Sequence, residues 1–358
     1  MILGPSLSAV SGISTHIQIL LSSELQHRFE LSHFQCGSEG LGQNYVTRLA
    51  RAIKGPFQFM AVLFTQKPDI VHINSAMYRL AFCRDSVFLL LARMMRVATV
   101  FQFHGGNPQL QTRVAKLFIR AVLSLSSSIV VITKKDQRFY STLVGEDAVF
   151  RIENGVPIDS KDSVLTNRFR GELVRLAHIG RLVKPKGLLD VIDALCLLKK
   201  QKNSDLGFSL DVAGSGPLLD EARQAVARGG LESVVRFLGP ISGSSMSELL
   251  SRTDLLVLPT YWSERLPYAM LEAMAAGVPL VICQKGAIAD VVTDQVEGVF
   301  VEPRNPAAIA KVLTDLSGDT ERLDRMSLAC RKRVFEHYSA RRMADDFAKL
   351  YSTIAPSR

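Results

Sequence analysis

Short apolar runs alternate with longer amphipathic stretches along the chain, which is the pattern of strands connected by helices. In the first half, helices are predicted at Ser86–Met95 and Gln109–Leu125, and strands at Met1–Gly4, Ile70–Ile73, Thr99–Phe103 and Ser128–Ile132. Asn107 and Pro108 are typical of a helix start, since Asn caps a helix and Pro suits its first position. The alternation predicts a parallel sheet that helices cover on both faces.

The same alternation restarts after a polar break at Asp159–Arg170. In the second half, helices are predicted at Leu188–Lys200, Leu218–Ala227, Ser244–Ser251 and Tyr268–Ala276, and strands at Leu173–Gly180, Phe208–Ala213, Val234–Leu238, Leu255–Pro259 and Pro279–Cys283. An α/β chain of two doubly wound parallel-sheet domains, joined near residue 165, is therefore predicted. Ligands of such sheets bind at the carboxyl ends of the strands, so the loops after strands are candidate sites.

The two halves of the chain differ in net charge. The 358 residues suit two domains, and the net charge is +9. Residues 1–145 contain 15 Lys and Arg against 6 Asp and Glu, whereas residues 146–358 contain 28 of each. A basic first half predicts an anionic partner, and composition leaves nucleic acid, a membrane surface and a phosphorylated substrate open.

The five cysteines lie far apart without a C-x-x-C pair, which argues against a disulfide framework or a zinc ribbon and favours a reducing compartment. No segment is long and apolar enough to span a bilayer, and the uncharged N-terminus lacks the basic region of a secretory signal. A cytoplasmic location is expected, with peripheral binding at the inner face of the plasma membrane as a further option. The first strand is so short that a start upstream of Met1 stays open.

Two loops that follow strands of the first half contain glycines. Gly12 precedes an apolar helix and lets backbone N–H groups approach an anion, although a simple turn needs glycine as well. His104 is followed by Gly105 and Gly106. An imidazole with cleared space beside it is suited to hydrogen bonding or to acid–base chemistry.

In the second half, Arg181 and Lys186 lie in the loop between a strand and a helix. Two cations five residues apart, next to a helix N-terminus, suit a diphosphate. Gly214 and Gly216 follow the next strand, but Leu219 occupies the place of the third glycine of a dinucleotide fingerprint. A tight turn that lines a nucleotide pocket is predicted there, rather than an NAD site.

Two glutamates flank the start of the helix at Tyr268–Ala276. Glu264 ends a loop, and Glu272 stands in the helix among apolar neighbours. Between them, Leu266, Pro267 and Tyr268 lie near the helix start, where backbone N–H groups favour an anion. A carboxylate accepts hydrogen bonds from two neighbouring hydroxyls, so Glu272 suits a ribose and Glu264 a second sugar.

Together these motifs resemble those of a known family. The run from Glu264 to Glu272, followed by Ala-Met-Ala-Ala-Gly-Val-Pro, resembles the E-x₇-E signature of retaining GT-B glycosyltransferases of glycosyltransferase family four. Supporting matches, in the family's order, are His104-Gly105, Glu153-Asn154-Gly155-Val156-Pro157, Gly180-Arg181 with Lys186-Gly187, and Gly214-Ser215-Gly216-Pro217. The resemblance covers nearly the whole chain and is strongest to enzymes that build exopolysaccharide or lipid-linked oligosaccharide.

The resemblance implies two Rossmann-like domains that face each other across a cleft. Residues 1–165 would bind the acceptor, residues 166–339 a nucleotide-sugar, and residues 340–358 would form a helix that crosses back to the first domain. The implied activity is that of a hexosyltransferase with a UDP- or GDP-sugar donor and a lipid-linked or glycan acceptor. No metal or other cofactor is expected, in keeping with a sequence that lacks an Asp-x-Asp motif.

The resemblance also assigns roles to individual residues. The implied catalytic residues are Glu264, His104, Arg181 and Lys186. The implied contacts of the nucleotide-sugar are Gly12, Arg181, Lys186, Gly214, Gly216, Glu264, Leu266, Pro267, Tyr268 and Glu272. An anionic membrane is the expected partner of the basic first half, and no nucleic acid is expected. The basic residues that would face this membrane lie in or beside apolar helices: Arg84, Arg93, Arg96, Arg113, Lys116 and Arg120. Ordinary helix faces exposed to solvent explain the same residues equally well.

Some positions depart from the family pattern. Arg265 and Leu266 stand where Gly-Phe is usual, Ser11 replaces a second glycine, and Glu153 replaces a common proline. Arg265 bears on the choice of donor or on contact with the acceptor. Both glutamates and both cations are retained, so an active enzyme is expected.

Three other functions fit parts of the sequence. A nucleotide-sugar epimerase or sugar-phosphate synthase of the same architecture would differ in whether an acceptor is needed for nucleoside diphosphate release. An NAD-dependent oxidoreductase would bind NADH, and the incomplete glycine fingerprint disfavours it. A non-catalytic module for membranes or nucleic acid would bind in a salt-dependent way and would be indifferent to nucleotide-sugars.

Overall fold

A computed structural model describes residues 1–37, 45–76, 78–105, 113–158, 173–202 and 207–355. The chain divides into an N-terminal unit of Met1–Gly155 with Ala340–Arg358, and a C-terminal unit of Val156–Ser339. The predicted junction near residue 165, the predicted helix start at Asn107 and Pro108, and Gly106 lie outside the described residues. None of the helices in the described ranges is both long enough and apolar enough to cross a bilayer.

The N-terminal unit is built on a parallel sheet. Its described strands are β1 (Ile2–Gly4), β2 (His33–Gln35), β3 (Ile70–Ala76), β4 (Ala98–Gly105), β5 (Ser128–Val131) and β6 (Val149–Arg151). The helices between them are α1 (Gly12–Ser22), α2 (Tyr45–Gln66), α3 (Arg79–Met94), α4 (Arg113–Leu123) and α5 (Lys134–Val144). The strand order is β2-β1-β3-β4-β5-β6. Alternate strand residues such as Leu3, Val71 and Phe101 form one core with α2, α3, α4 and α5.

The C-terminal unit repeats this architecture. Its described strands are β7 (Val174–Ile179), β8 (Phe208–Ala213), β9 (Val235–Gly239), β10 (Leu255–Leu258), β11 (Leu280–Ile282) and β12 (Gly298–Phe300). Its helices are α6 (Leu188–Lys202), α7 (Leu219–Gly229), α8 (Ser244–Ser251), α9 (Tyr268–Ala275), α10 (Ile288–Val291), α11 (Pro306–Ser317) and α12 (Thr320–His337). The parallel sheet has the order β12-β11-β10-β7-β8-β9, and strand residues such as Leu176, Leu210 and Val257 pack with α6 in its core.

The predicted fold class, an α/β chain with two doubly wound parallel sheets, is confirmed. Strand β8 and helix α8 have their predicted bounds, and most other predicted elements differ by one to three residues at either end. The prediction that a helix begins at Ser86 is wrong, because α3 begins at Arg79. Ser86 does not cap the helix, since its hydroxyl donates to the carbonyl oxygen of Phe82 at 2.7 Å. All five cysteines are free thiols.

The last helix, α13 (Ala340–Ile354), belongs to the N-terminal unit and packs on α1. The sheet face beneath these two helices carries a polar layer around His72 of β3. Nε2 of His72 lies 2.9 Å from Oε1 of Gln102, and Nδ1 lies 2.6 Å from the hydroxyl of Tyr351 in α13. An amide oxygen only accepts, so Nε2–H donates to Gln102 and the Tyr351 hydroxyl donates to Nδ1. His72 is therefore held as a neutral ring.

Acid is expected to destabilise the N-terminal unit because two buried histidines, His16 of α1 and His72 of β3, stay unprotonated in the folded state. Burial lowers the pKa of His16 and the pKa of His72 from 6.5 to about 3. Below pH 6.5 the unfolded chain binds protons that the folded unit does not, so stability falls as the pH drops from 6.5 toward 3. The loss is at most about 1.4 kcal/mol per pH unit for each histidine.

Urea unfolding at about pH 7.5 and about pH 5 measures this effect as a lower midpoint in acid. His72→Gln is expected to reduce the pH dependence, whereas the matched change at the exposed His27, His27→Gln, is expected to leave it as it is. A midpoint that is equal at the two pH values would contradict the prediction.

Candidate active site

The order of the C-terminal sheet creates a crevice at its carboxyl edge. Strands β7 and β10 are neighbours, and the chain proceeds from β7 to β8 and β9 on one side, and from β10 to β11 and β12 on the other. Such a reversal opens a crevice outside the carboxyl ends of the two central strands, where ligands of doubly wound sheets bind. The loop after β7 carries Arg181 and Lys186, and the loop after β10 carries Glu264.

The loops after β7 and β8 are held together through their backbones. The N–H of Leu182 donates to the carbonyl oxygen of Ser215 at 2.9 Å. Gly214 has a φ of +144°, and a Cβ at this position would overlap the carbonyl oxygen of Gly180. A Cβ at Gly216 would likewise overlap the backbone of Leu182. Both predicted glycines therefore allow the close approach that fixes the loop after β7.

Lys186 and Glu264 form an ion pair across the crevice. Nζ of Lys186 lies 2.6 Å from Oε1 of Glu264, and the two side chains are only 16% and 13% exposed. Oγ1 of Thr260 lies 3.1 Å from the same carboxylate oxygen and 3.1 Å from the carbonyl oxygen of Pro185. The hydroxyl has one proton, which it can donate to either of these two oxygens. Arg181, the other cation of the loop after β7, has an exposed side chain.

The backbone of Glu264 is fixed by the loop that follows β11. The N–H of Ala287 donates to the carbonyl oxygen of Glu264 at 2.8 Å, and the N–H of Glu264 donates to Trp262 at 2.8 Å. Gly286 packs so closely against the backbone of Glu264 that a Cβ would overlap it. Loops from three strands, β7, β10 and β11, thus determine where one carboxylate lies.

Helix α9, which follows the loop that carries Glu264, contains Glu272. It begins at Tyr268 with Pro267 in the capping position, and Leu266 and Tyr268 are buried. Burial raises the pKa of Glu272 to about 7, and burial together with the Glu272 charge raises the pKa of Tyr268. A carboxylate that has lost its water gains most from hydroxyl donors of a ligand.

Gly12 and His104 belong to the N-terminal unit. Gly12 is the first residue of α1, and Ser11 caps that helix, since its Oγ accepts from the N–H of Ser14 at 3.1 Å. The serine that replaces the family's second glycine therefore has a structural role. Nε2 of His104 donates to Oδ1 of Asn74 at 2.8 Å, which orients the imidazole.

Two residues that shape the site were not assigned a role from the sequence. Thr260 contacts the Glu264 carboxylate, and Gly286 contacts the Glu264 backbone. Gly286 lies in the loop after a predicted strand, three residues beyond Cys283, so the rule that selected the other loops would have selected it. Thr260 directly follows the predicted strand at Leu255–Pro259 and has the same signal, but its role depends on contacts with Pro185 and Glu264 that the sequence does not indicate.

The arrangement suits an anionic ligand that also carries hydroxyl groups. Arg181 and Lys186 supply positive charge for a diphosphate, and Glu264 and Glu272 supply acceptors for hydroxyls. Throughout the described ranges, no three His, Cys, Asp or Glu side chains are grouped as metal ligands would be.

Comparison with known proteins agrees with this arrangement. Residues 166–333 match the family Glycosyl transferases group 1. An uncharacterized glycosyltransferase of Methanocaldococcus jannaschii is 30% identical over 176 residues, which are 49% of this chain and 44% of that protein. The amylovoran biosynthesis glycosyltransferase AmsK of Erwinia amylovora is 28% identical over 186 residues, 49% of this chain and 45% of that protein. The matches thus span less than half of these curated relatives.

A solved structure resembles the whole chain. The crystal structure of Alr3699/HepE of Anabaena, in complex with UDP and glucose, has a TM-score of 0.74 at 17% identity and covers 98% of this chain and 99% of that one. Similarity of this kind shows a shared fold, here the GT-B fold. The sequence match to the Glycosyl transferases group 1 family is confined to residues 166–333, which are less than half of this chain.

Proposed function

We propose that the chain is a retaining glycosyltransferase that moves a hexose from a UDP- or GDP-sugar to a hydroxyl of a lipid-linked glycan acceptor. The observation that carries the proposal is the Lys186–Glu264 ion pair at the switch point of the C-terminal sheet. Glu272, eight residues further along, adds a second carboxylate. The relative named for amylovoran biosynthesis and the neighbour solved with UDP and glucose support a nucleotide-sugar donor and a polysaccharide product.

In the proposed reaction, the bond between the anomeric carbon and the diphosphate oxygen breaks, and the diphosphate leaves with the electron pair. The acceptor oxygen bonds to the same face of the carbon, and its proton passes to the leaving diphosphate. Arg181 and Lys186 stabilise the negative charge that develops on the diphosphate. Because the backbone of the loop after β7 is held by the contacts described above, this loop moves little as that charge appears.

The two glutamates orient the donor. Glu272 accepts hydrogen bonds from the ribose hydroxyls, and Glu264 accepts from hydroxyls of the transferred sugar while Lys186 neutralises it. Glu264 therefore couples the position of the sugar to the cation that faces the diphosphate. From the N-terminal unit, Gly12 and His104 are proposed to contact the phosphates and the sugar of the donor.

A melting-temperature screen with UDP, GDP and their common sugars tests the donor proposal. A nucleotide that binds only the folded chain raises the melting temperature, and saturation at a hundredfold excess over Kd adds about 2.7 kcal/mol. Nucleoside diphosphate release from the selected donor is then measured with and without a lipid-linked acceptor. Absence of any shift with both nucleotide series overturns the proposal, and full release without any acceptor favours a hydrolysing epimerase, in which water takes the sugar.

Donor binding is expected to weaken below neutral pH because of Glu272. Burial raises the pKa of this carboxyl to about 7, and the ribose hydroxyls require its ionised form as acceptor. Below that pH the free chain must lose a proton to bind, so affinity falls up to about tenfold per pH unit. Calorimetric titration at about pH 8 and about pH 6 measures the loss. Glu272→Gln is expected to bind weakly at both, and a wild-type affinity that is equal at both would contradict the role.

A further inference from the structure

Helix α3 carries a stripe of exposed apolar side chains along its length. Its members recur every three or four residues and therefore share one side of the helix: Leu80, Cys83, Val87, Leu90 and Met94. Leu80 is 85% exposed and Met94 is 67% exposed. The opposite side of α3 is buried in the core of the N-terminal unit. A helix that is apolar on both sides is not typical of a surface that faces only water.

The neighbouring helices extend this surface. Exposed phenylalanines lie on α2 at Phe57 and Phe64, and α4 exposes Leu117 and Phe118. The ring of Phe118 lies 6.4 Å from that of Phe82, which joins α4 to α3. All three helices cover the same side of the sheet, because their buried sides contribute to one core. The exposed apolar side chains of α2, α3 and α4 are called the apolar face below.

The charges of these helices have almost entirely one sign. The sequences of α2, α3 and α4 contain nine Lys and Arg, and Asp85 is their one acidic residue. Asp85 is buried and accepts hydrogen bonds from Ser75 at 2.6 Å and Arg84 at 2.7 Å. Arg84 was expected to face a membrane, but its guanidinium pairs with Asp85 instead. The side chain of Arg113 lies outside the described residues. Among the side chains that the structure describes, Lys54, Arg93, Arg96, Lys116 and Arg120 are exposed cations on or beside the apolar face.

We propose that the apolar face docks onto an anionic lipid bilayer, with its aliphatic and aromatic side chains in the headgroup region and its Lys and Arg side chains against lipid phosphates. Charge decides between a bilayer and a second copy of the chain as the occupant. A second copy that docked through the same face would place its cations against like charges, with no exposed carboxylate on these helices to balance them. An anionic bilayer supplies both the apolar depth and the opposite charge.

This inference goes beyond the proposed reaction and is tested without it. The full chain is sedimented with vesicles of phosphatidylglycerol and phosphatidylcholine, and with vesicles of phosphatidylcholine alone. Binding to the anionic vesicles at low salt is expected, with a loss of about tenfold or more in about 0.5 M NaCl. Equal binding to both vesicle types, or no binding to either, overturns the proposal.

Two sets of substitutions separate the contributions of charge and apolar area. Arg93→Gln with Lys116→Gln and Arg120→Gln is expected to weaken binding by about a hundredfold or more. Leu80→Gln with Leu90→Gln and Met94→Gln is expected to weaken it comparably, because the inserted area is lost. All six side chains are exposed, and melting temperatures verify that the variants fold.

The matched control lies in the C-terminal unit. Arg228→Gln with Lys311→Gln and Lys332→Gln removes the same charge from exposed positions and is expected to keep vesicle binding within about threefold. A control variant that loses as much binding as the first set would show general charge attraction and overturn the assignment to this face. A dimer that the apolar substitutions dissociate, with vesicle binding unchanged, would replace the bilayer by a second copy.

Cys83 offers a direct measurement of insertion. It lies in the middle of the stripe and is exposed, so an environment-sensitive fluorophore can be attached once the partly exposed Cys196 is replaced by Ser. A blue shift of its emission on anionic vesicles is expected. The same fluorophore at Leu328→Cys on α12, in a Cys83→Ser chain, is expected to show none. Vesicle binding without a shift at Cys83 would overturn docking through the apolar face.

Discussion

Lys186→Met is expected to lower the turnover of the nucleotide-sugar by about a hundredfold to a thousandfold. Nζ of Lys186, in the loop after β7, lies 2.6 Å from Oε1 of Glu264. The proposed reaction places the leaving diphosphate against this ammonium group. Because charge on the diphosphate grows toward the transition state, kcat is expected to fall more than donor affinity does. Nucleoside diphosphate release is the measurement.

Lys184→Met is the matched control for this prediction. Lys184 lies two residues earlier in the same loop and is 71% exposed, and its Nζ lies 4.0 Å from Oε2 of Glu221, a long contact. Its loss is expected to change turnover by about twofold at most. Full turnover in Lys186→Met, or an equal loss in both variants, would contradict the assignment of Lys186.

Adding Glu264→Gln to Lys186→Met tests whether Lys186 and Glu264 act together in the reaction. Lys186→Met leaves the largely buried Glu264 carboxylate without its cation, and this loss of pairing is destabilising by itself. The double variant Lys186→Met with Glu264→Gln removes that unpaired charge. It is expected to recover the melting temperature but not the turnover, because groups that act together lose function non-additively.

The C-terminal unit could be predicted more accurately than the N-terminal unit, for physical reasons. Strand β8 alternates apolar residues with Ser209 and Asp211, and this period of two marks it as a strand. Helix α3 is apolar on its outer side as well, which removes the polar positions that define an amphipathic helix, and its first turns were missed. Helix α2 contains Pro56 in its middle, a signal that normally indicates a break, and was not predicted.

In the candidate site, single residues could be predicted but their pairing could not. Arg181, Lys186 and Glu264 each follow a strand, and parallel strands share one carboxyl edge. The contact between Lys186 and Glu264 joins residues that are 78 positions apart and depends on β10 pairing with β7. That order is set by packing of the whole unit, so spacing in the sequence does not indicate it.

Gly286→Ala is expected to lower turnover by about a hundredfold although no ligand contact is assigned to it. Gly286 has a φ of +64°, and the added methyl group would overlap the backbone nitrogen and oxygen of Glu264. The neighbouring Ala287 donates to Glu264 at 2.8 Å, so the two loops cannot separate without losing this bond. The carboxylate is therefore expected to shift away from Lys186, and a misplacement of about 1 Å at a reacting centre costs about a hundredfold.

Gly239→Ala separates displacement of Glu264 from backbone strain. Gly239 also has a positive φ, +72°, but a Cβ there would meet nothing within 4 Å. Both substitutions carry the cost of a left-handed residue, about 1 kcal/mol, so both melting temperatures are expected to fall by a few degrees. Only Gly286→Ala is expected to lose turnover, because only there does the methyl group move a residue that orients the donor. Equal turnover in the two variants would mean that the loop after β11 does not position Glu264.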